Sequence, residues 1–368
     1  MRRLDELLIN GRFLTQPLSG VQRYGLELSS ELAGRDLEVV IATPRGAPVP
    51  PKLRPFVREL GTRGGHSWEQ CDLARLAARG SAVLWSPGNT GPVATQRQLV
   101  TLHDMFVFRF PSHHTRSFRV WYKTLHRLLV QRGVSFAAVS QYTRDEISNT
   151  LGVDPDKIAI VPDGVSERFR LLDRAQARVT AQRMGLFGRY ALCLAVASER
   201  KNLGRLIDAW RVVRTTSPDV QLVLAGGASF KRLYGYSLPE LNVLEPLGVR
   251  VVEHVPEADL PAIYSAAELV VMPSLAEGFG LPALEALACG TPVVVSANSA
   301  LVENFASLGG VLVDPYSAAS IASGLLRVLR ERAAYAPHDP SGIAEAYSWP
   351  RAADRLLEAL ARVDSDFC

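Results

Sequence analysis

Short apolar runs alternate along the chain with longer stretches in which apolar residues recur at helical spacing. This alternation is typical of βαβ units, which build parallel sheets covered by helices. The apolar runs predict strands at residues 7–9, 37–42, 82–85, 99–102, 135–139, 190–195, 221–225, 249–252, 269–272, 292–295 and 310–313. The pattern therefore predicts an α/β protein with one Rossmann-like domain in each half of the chain.

The length of the chain also fits two domains, because 368 residues exceed what one hydrophobic core usually organises. A charged stretch at 171–178 separates the two sets of predicted strands. We predict an N-terminal domain over 1–170, a second domain over 171–348 and a final helical segment over 349–368. In such an arrangement a ligand is expected between the two domains.

Two features of the sequence bear on where the protein acts. No apolar run reaches the ~18 residues that a membrane-spanning helix needs, and the N-terminus carries acidic residues where a signal peptide has an apolar stretch. We therefore expect a cytoplasmic protein. Its cysteines lack Cys-x-x-Cys spacing, which favours reduced thiols at all four positions, Cys71, Cys193, Cys289 and Cys368.

The most informative stretch is Glu-Gly-Phe-Gly-Leu-Pro-Ala-Leu-Glu at residues 277–285, directly after the apolar run at 269–274. Pro282 suits the first positions of a helix, because its fixed φ and missing N–H cost nothing there. We therefore predict a helix that begins near Leu281, with Glu285 in its first turn.

The start of this predicted helix suits an anion. Its free N–H groups near Gly280 and Leu281 favour a ligand such as a diphosphate, which Gly278 and Gly280 allow to come close. Carboxylates do not bind phosphate, so sugar hydroxyls are the expected partners of Glu277 and Glu285. Taken alone, the pair also fits a plainer interpretation, in which one glutamate complements the helix dipole and the other is solvated.

Two adjacent cations, Arg200 and Lys201, precede the amphipathic pattern at 203–210. Cations that open a helix oppose its macrodipole, so they require a bound anion or full solvation. Arginine can hold phosphate oxygens through two parallel donors, and lysine supplies a mobile point charge. The charge pattern alone therefore leaves a phosphate site and a solvated turn open.

Two further candidates lie in the first half of the chain. Gly20 stands in a predicted loop at 18–24 and would allow a ligand to approach closely, although one glycine also fits an ordinary turn. His103 follows the predicted strand at 99–102, at the strand end where α/β sheets present ligands. It can hydrogen-bond a sugar hydroxyl, transfer a proton near neutral pH or serve a structural role. Asp104 is expected to orient His103 or the loop.

Residues 277–296, EGFGLPALEALACGTPVVVS, closely resemble the donor-binding segment of retaining glycosyltransferases of family 4. The stretches at 18–24, 101–104, 139–144 and 197–202 resemble further motifs of that family, so the resemblance spans nearly the whole chain. It implies the GT-B fold, in which two Rossmann-like domains face each other across a cleft and a C-terminal helix crosses back to the first domain. In that fold the domain at 1–170 is expected to bind the acceptor, and the domain at 171–348 the nucleotide-sugar donor.

The resemblance implies a role for each candidate residue. Lys201 and Arg200 would stabilise charge on the departing diphosphate, Glu285 would bind the ribose hydroxyls, Glu277 the donor sugar, and His103 would position the sugar near the acceptor. The implied catalytic residues are His103, Arg200, Lys201 and Glu277. The implied donor-binding residues are Gly20, Arg200, Lys201, Val255, Glu277, Gly278, Phe279, Gly280, Leu281 and Glu285.

Two of these assignments concern the outer parts of the donor. Gly20 is expected across the cleft from Lys201, where it would face the donor phosphates. Val255 follows the predicted strand at 249–252 and is expected beside the nucleotide base.

The function expected from the resemblance is retaining transfer of a sugar from a nucleotide-diphosphate donor to an acceptor hydroxyl. Mannose from GDP-mannose is the first choice, because the chain looks most like bacterial polysaccharide mannosyltransferases; a lipid-linked or polysaccharide precursor is the expected acceptor. No metal or other cofactor is expected, since the Asp-x-Asp pairs at 154–156 and 364–366 fall in a predicted loop and tail. A non-catalytic sugar-nucleotide sensor or scaffold, and a GT-B epimerase, remain as alternatives.

Charge is distributed unevenly. Residues 1–170 contain 23 Lys and Arg against 16 Asp and Glu, whereas the rest of the chain contains 18 against 21. The segment 113–132 has five Lys and Arg, three His and no acid, with aromatic and leucine residues at helical spacing. It predicts either a basic amphipathic helix on an anionic membrane surface or a domain helix that buries its apolar stripe. Nucleic acid is not expected, because no binding motif accompanies the charge.

Overall fold

The computed structural model describes residues 4–111, 114–194, 198–226 and 244–367. Cys368, and positions 113, 195 and 197 at the ends of ranges given above, lie outside the described residues. The chain divides into two compact units. The first runs to Gly164 and resumes at Tyr347, and the second is Val165–Ala346; the sequence placed these boundaries after residues 170 and 348.

A seven-stranded parallel sheet forms the centre of the first unit. In chain order its strands are β1 Glu6–Asn10, β2 Glu38–Pro44, β3 Val57–Leu60, β4 Val83–Ser86, β5 Gln98–Leu102, β6 Ser135–Ala138 and β7 Ile158–Ile160. Their order in the sheet is β3-β2-β1-β4-β5-β6-β7. Five strands match the predicted apolar runs. The other two were missed because β3 reads Val-Arg-Glu-Leu at an exposed edge and β7 has only three residues.

Helices on both faces of this sheet bury its apolar side chains. They are α1 Gly20–Ala33, α2 Gly65–Trp68, α3 Ala74–Ala77, α4 Phe106–Arg109, α5 Arg116–Gln131 and α6 Gln141–Leu151. A π-helical turn at Glu69–Leu73 joins α2 to α3. One core cluster combines Val100 and Phe136 of the sheet with Leu125 and Leu129 of α5, so the second half of α5 is anchored by burial.

A six-stranded parallel sheet forms the centre of the second unit. Its strands are β8 Arg189–Leu194, β9 Val220–Ala225, β10 Val249–Val252, β11 Leu269–Met272, β12 Val293–Ser296 and β13 Val311–Val313, in the order β10-β9-β8-β11-β12-β13. The helices are α7 Arg174–Arg183, α8 Leu203–Thr216, α9 Leu260–Ala266, α10 Leu281–Ala288, α11 Ser299–Phe305, α12 Ala318–Arg330, α13 Arg332–Tyr335 and α14 Pro340–Ala346. All six strands match predicted runs.

Both sheets reverse their winding at an inner pair of strands. In the first unit β1 is followed by β2 and β3 on one side and by β4 on the other; in the second unit β8 has the same relation to β9, β10 and β11. Loops that leave such a pair diverge at the carboxyl ends of the strands, which opens a crevice for ligands. Each sheet therefore has one preferred ligand position, after β1 and β4 or after β8 and β11.

The last helix, α15 (Trp349–Ser365), belongs to the first unit. It packs against α1, β4 and β5, and Arg35 forms an ion pair with Asp354 at 2.9 Å. A Cβ atom on Gly164 would lie 2.7 Å from the backbone nitrogen of Trp349. Only glycine at position 164 lets the buried start of this helix come so close.

No helix among the described residues is both long and apolar enough to cross a membrane.

Replacing Gly164 by alanine should lower the stability of the first unit. The new methyl group meets backbone atoms of Trp349, which cannot move aside cheaply, so a loss of about 1–3 kcal/mol is expected, seen as a fall of several degrees in Tm. Gly88→Ala is the matched control, because its Cβ would meet only a Val21 side chain at 3.9 Å. Equal melting temperatures for both variants would contradict this account.

Candidate active site

The two predicted cations lie in a short 3₁₀ turn, Glu199–Lys201, between β8 and α8. Asn202 follows in the left-handed conformation at φ 58°. Its buried side-chain amide donates to the carbonyls of Pro273, 2.9 Å, and Pro315, 2.7 Å. The sequence had suggested that the cations open the helix. In the structure they lie in the turn just ahead of α8. Asn202 ties their turn to the loops after β11 and β13.

Glu277 lies between the two cations. Its Oε1 is 2.7 Å from Nζ of Lys201 and its Oε2 is 2.8 Å from Nη1 of Arg200. The guanidinium also donates to the carbonyl of Ala276 at 2.9 Å. Glu277 is only 7% exposed, so the interpretation of this residue as a solvated loop glutamate is wrong. The loops after β8 and β11 thus meet through one carboxylate at the crevice of the second sheet.

The charges of this ion cluster shift the pKa values of its members. Burial raises the pKa of Glu277, but Arg200 and Lys201 outweigh burial and hold it at about 2. Burial lowers the pKa of Lys201, and the attraction of Glu277 offsets this only in part. With two cations and one carboxylate, the cluster carries a net positive charge, and displacing the carboxylate by an incoming anion would leave both cations paired.

The loop that carries Glu277 is held by residues that the sequence did not single out. The backbone N–H of Glu277 donates to Oγ of Ser299, 3.1 Å, and the Asn298 amide donates to the Leu275 carbonyl, 2.8 Å. Ser299 has φ 56°, an uncommon conformation for a residue with a side chain. Such strain concentrates at functional sites, but it is visible only in coordinates.

Helix α10 begins at Leu281, as predicted. Gly280 precedes it at φ 103°, where a Cβ would lie 2.6 Å from Leu301 and 2.8 Å from Phe305. Gly280 is therefore required by its backbone conformation and by the close packing of α11. Phe279 is buried, and its carbonyl accepts from the Asn304 amide at 2.8 Å; Gly278 is half-buried in the same loop.

Glu285 lies in the second turn of α10, because the helix starts four residues earlier; the expected first-turn position is wrong. The side chain is buried, and its Oε2 accepts a hydrogen bond from the phenol of Tyr264 at 2.8 Å. Tyr264 is fully buried in α9. It holds the carboxylate in one orientation, a function that no spacing in the sequence indicated.

His103 is buried at the carboxyl end of β5 in the first unit. Its Nε2 donates to the Pro87 carbonyl at 2.8 Å, and its ring meets Tyr24 edge-on at 4.7 Å. Burial lowers its pKa to about 4, so the ring is neutral and does not change charge near neutral pH. Proton transfer by His103 near neutral pH would have required such a change. Asp104 accepts from the backbone N–H of Phe106 and so orients the loop.

The last two candidates, Gly20 and Val255, lie in different units of the chain. Gly20 is the first residue of α1 and not a loop glycine, and a Cβ there would meet no atom within 4 Å. Val255 is half-buried in the loop after β10, at the edge of the second sheet. The structure brings Arg200, Lys201 and Glu277 together and does not bring Val255 into that cluster.

Comparisons with known proteins show the family of the chain. Residues 18–169 match the family model Glycosyltransferase Family 4, and residues 188–341 match Glycosyl transferases group 1. O-antigen chain mannosyltransferase B of Escherichia coli is 30% identical, over 73% of this chain and 71% of its own length. The chain belongs to glycosyltransferase family 4. The family resemblance predicted from the motifs is thus confirmed.

Other relatives of this glycosyltransferase carry different names. A D-inositol 3-phosphate glycosyltransferase of Salinispora arenicola is 30% identical over 97% of this chain and 91% of its own. Sucrose-phosphate synthase of Thermosynechococcus elongatus has a similar structure (TM-score 0.76, 20% identity, 99% of this chain and 100% of that one). So does Anabaena Alr3699/HepE in complex with UDP and glucose (0.74, 17%, 97% and 99%). These structures confirm the predicted GT-B class of two Rossmann-like domains.

Acid should reveal the ion cluster in the stability of the glycosyltransferase. The pKa of Glu277 falls from 4.5 to about 2 on folding, so the stability it contributes is complete above about pH 4.5 and is lost as the pH falls towards 2. Relative to Glu277→Gln, the free energy of unfolding of the unsubstituted protein should fall by about 1.4 kcal/mol per pH unit below pH 4.5. Urea titrations at pH 5, 4 and 3 measure this.

The control for this titration is Glu199→Gln, which alters a glutamate in the turn that carries Arg200 and Lys201. Parallel stability curves for the unsubstituted protein and Glu277→Gln would contradict the assignment of the ion cluster.

Proposed function

We propose that this enzyme transfers a sugar from a nucleotide-diphosphate donor to an acceptor hydroxyl with retention of the anomeric configuration. The observation that carries the proposal is the cluster of Arg200, Lys201 and Glu277 in the crevice of the second sheet. Two largely buried cations share one carboxylate there. A diphosphate supplies the further negative charge that this arrangement accommodates.

In the proposed reaction the two cations bind the donor diphosphate and stabilise the charge that develops on it as the glycosidic bond breaks. The N–H groups at Gly280 and Leu281 add hydrogen bonds to the same oxygens. Once phosphate oxygens take over the cations, the carboxylate of Glu277 accepts hydrogen bonds from hydroxyls of the donor sugar.

Two buried groups complete the proposed donor contacts. Glu285, oriented by Tyr264, accepts from the ribose hydroxyls. His103 keeps its hydrogen on Nε2, which faces the Pro87 carbonyl, so its Nδ1 is the acceptor in the neutral ring. It would accept a hydrogen bond from a sugar hydroxyl and position that sugar without transferring a proton.

Retention without a metal and without a covalent intermediate is the mechanism we favour. Arg200 and Lys201 supply the positive charge that a bound metal supplies to other diphosphate sites. In the donor complex the carboxylate of Glu277 is occupied by hydroxyls of the donor sugar, so we assign it no covalent bond to the anomeric carbon. The acceptor oxygen would then approach on the face that the diphosphate leaves, and pass its proton to the departing phosphate.

Mannose from GDP-mannose is the donor we propose first. Two relatives are named O-antigen chain mannosyltransferases, from Escherichia coli and Salmonella typhimurium. The words O-antigen chain in these names support a polysaccharide as the acceptor, and we propose a lipid-linked precursor as its alternative form. UDP sugars are the second choice, because Anabaena Alr3699/HepE holds UDP-glucose.

The donor proposal is tested by nucleotide binding and turnover together. GDP-mannose should raise the Tm of the unsubstituted protein, because a ligand specific for the folded state stabilises it. Lys201→Ala should abolish that rise and reduce release of GDP from GDP-mannose roughly 10²–10³-fold, the cost of removing one donor to a developing anion. Lys157→Ala, at an exposed lysine of the first unit, is the control. UDP-glucose is run alongside.

Each result separates the candidate functions. Unchanged turnover in Lys201→Ala would refute the role of Lys201. Stabilisation by a nucleotide sugar without release of nucleotide would favour the sensor or scaffold, and conversion of the sugar into its epimer without transfer would favour the epimerase.

We propose further that helix α5 contacts an anionic membrane surface. Tyr122 packs against His66, but Phe118, Val120, Trp121 and Leu128 are exposed. The alternative, in which the helix buries its whole apolar stripe, fits only Leu125 and Leu129 and their neighbours. Basic residues and no acidic residue accompany these side chains. This composition suits the cytoplasmic leaflet, whose anionic lipids attract basic segments.

Val120→Glu should weaken membrane binding roughly 10-fold, because Val120 is 59% exposed and the substitution removes an apolar contact with the bilayer and adds a negative charge. Cosedimentation with phosphatidylglycerol and phosphatidylcholine vesicles at low salt measures this. Val212→Glu on α8, where the valine is 51% exposed, is the matched control. No binding by the unsubstituted protein, or equal binding by both variants, would refute this contact.

A further inference from the structure

A second polar cluster occupies the crevice of the first sheet. Asn10 ends β1 and Ser86 ends β4, the strands at which the winding reverses. The Asn10 amide donates to Oγ of Ser86, 3.2 Å, and to Oε1 of Glu69, 2.7 Å. Glu69 comes from the π-helical turn between α2 and α3. Such turns are frequent at functional sites, and this one directs a carboxylate into the position where α/β sheets bind ligands.

The two oxygens of Glu69 have different surroundings. Its Oε1 accepts from Asn10, from Nε of Arg12 at 3.1 Å and from the Thr90 hydroxyl at 2.9 Å. Burial raises the pKa of this carboxyl, but the surrounding donors outweigh burial and hold it below its ordinary value. The carboxylate is therefore ionised and its charge is matched by that of Arg12. Its Oε2 faces His66.

His66 connects this buried pair to the surface. Its Nδ1 lies 3.4 Å from Oε2 of Glu69, and the His66 side chain is 30% exposed. An ionised carboxylate can only accept, so Nδ1 carries the hydrogen. In the neutral ring Nε2 then has a free electron pair, which fits a ligand hydroxyl. Glu69 thus fixes the tautomer of a half-buried histidine.

Aromatic rings flank His66 on helix α5. The centroid of Trp121 lies 5.3 Å and that of Tyr122 5.6 Å from the imidazole, and Trp121 is 39% exposed. Phe118 stacks on Tyr122 at 4.2 Å. An aromatic face beside a hydroxyl acceptor suits a sugar ring, which presents C–H groups on its faces and hydroxyls at its edge. Beneath His66 the charges of Arg12 and Glu69 compensate each other, so this buried pair offers no excess charge to a phosphate.

We propose that His66, flanked by Trp121 and Tyr122, binds hydroxyls of the uncharged glycan acceptor. Glu69 is the positioning residue that holds the His66 tautomer, and Arg12 compensates its charge. The assignment of this sugar as the acceptor rests on the proposed glycosyltransferase reaction; the sugar-binding position itself rests on the first unit alone.

The test measures sugar binding without turnover. Protein saturated with GDP is titrated with methyl α-D-mannopyranoside, and saturation transfer to the sugar is followed by NMR. His66→Asn retains a donor toward Glu69 but lacks Nε2, and should lower the transferred signal at least five-fold at unchanged Tm. Trp121→Ala tests the aromatic face without touching the buried cluster, and should do the same. His338→Asn, at an exposed histidine of the second unit, is the control.

A parallel titration with mannose 6-phosphate tests whether the site prefers an uncharged sugar. A stronger signal from mannose 6-phosphate that disappears in His66→Asn would overturn that preference. No signal from methyl α-D-mannopyranoside in the unsubstituted protein, or equal signals in His66→Asn and the control, would overturn the sugar site.

The donor proposal fails separately. A His66-dependent sugar signal in protein that no nucleotide sugar stabilises would support the sugar site and refute the nucleotide-diphosphate donor. Stabilisation by GDP-mannose with no sugar signal would support the nucleotide-diphosphate donor and refute the sugar site.

Discussion

The ion cluster of Arg200, Lys201 and Glu277 is the interaction on which the rest of the second unit depends. Burying one carboxylate between two cations is tolerable only because each oxygen has its own partner at hydrogen-bonding distance. Keeping it there requires the loops after β8 and β11 to meet, which Asn202 ensures by its left-handed backbone and two carbonyl contacts. The unusual backbone at Ser299 holds the glutamate loop from the other side.

The same topology explains why two polar clusters lie where they do. In each unit the first strand of the sheet has neighbours that wind in opposite directions, and in each unit a buried glutamate lies in the resulting crevice. The clusters differ in charge: Glu277 faces two cations, whereas Glu69 faces one and a histidine. An excess positive charge suits a diphosphate, and a compensated pair suits an uncharged polyol.

Much of the fold could be predicted because parallel strands buried on both faces leave uninterrupted apolar runs, as at 269–272 and 293–296. The predicted start of α10 at Leu281 was correct, since Pro282 is informative locally. The helix α8 also begins at Leu203, where the amphipathic pattern began, but the left-handed conformation of Asn202 and its contacts with Pro273 and Pro315 were not predicted. The buried state of Glu277 and the orientation of Glu285 by Tyr264 depend on tertiary contacts, which no local pattern encodes. His66 and Glu69 lie only three residues apart, but the burial of that carboxylate depends on the surrounding fold.

The C-terminal helix has a consequence for biosynthesis. Because α15 completes the first unit while Val165–Ala346 lies between its two parts, the ribosome releases every residue of the second domain before the first domain has its last helix. Domains generally fold as units while the chain grows. The second domain therefore has its full sequence while the apolar surface that Trp349 and Leu356 later cover is still open. A chain truncated before residue 349 would lack the packing partner of Gly164 and leave that surface exposed to chaperones and proteases.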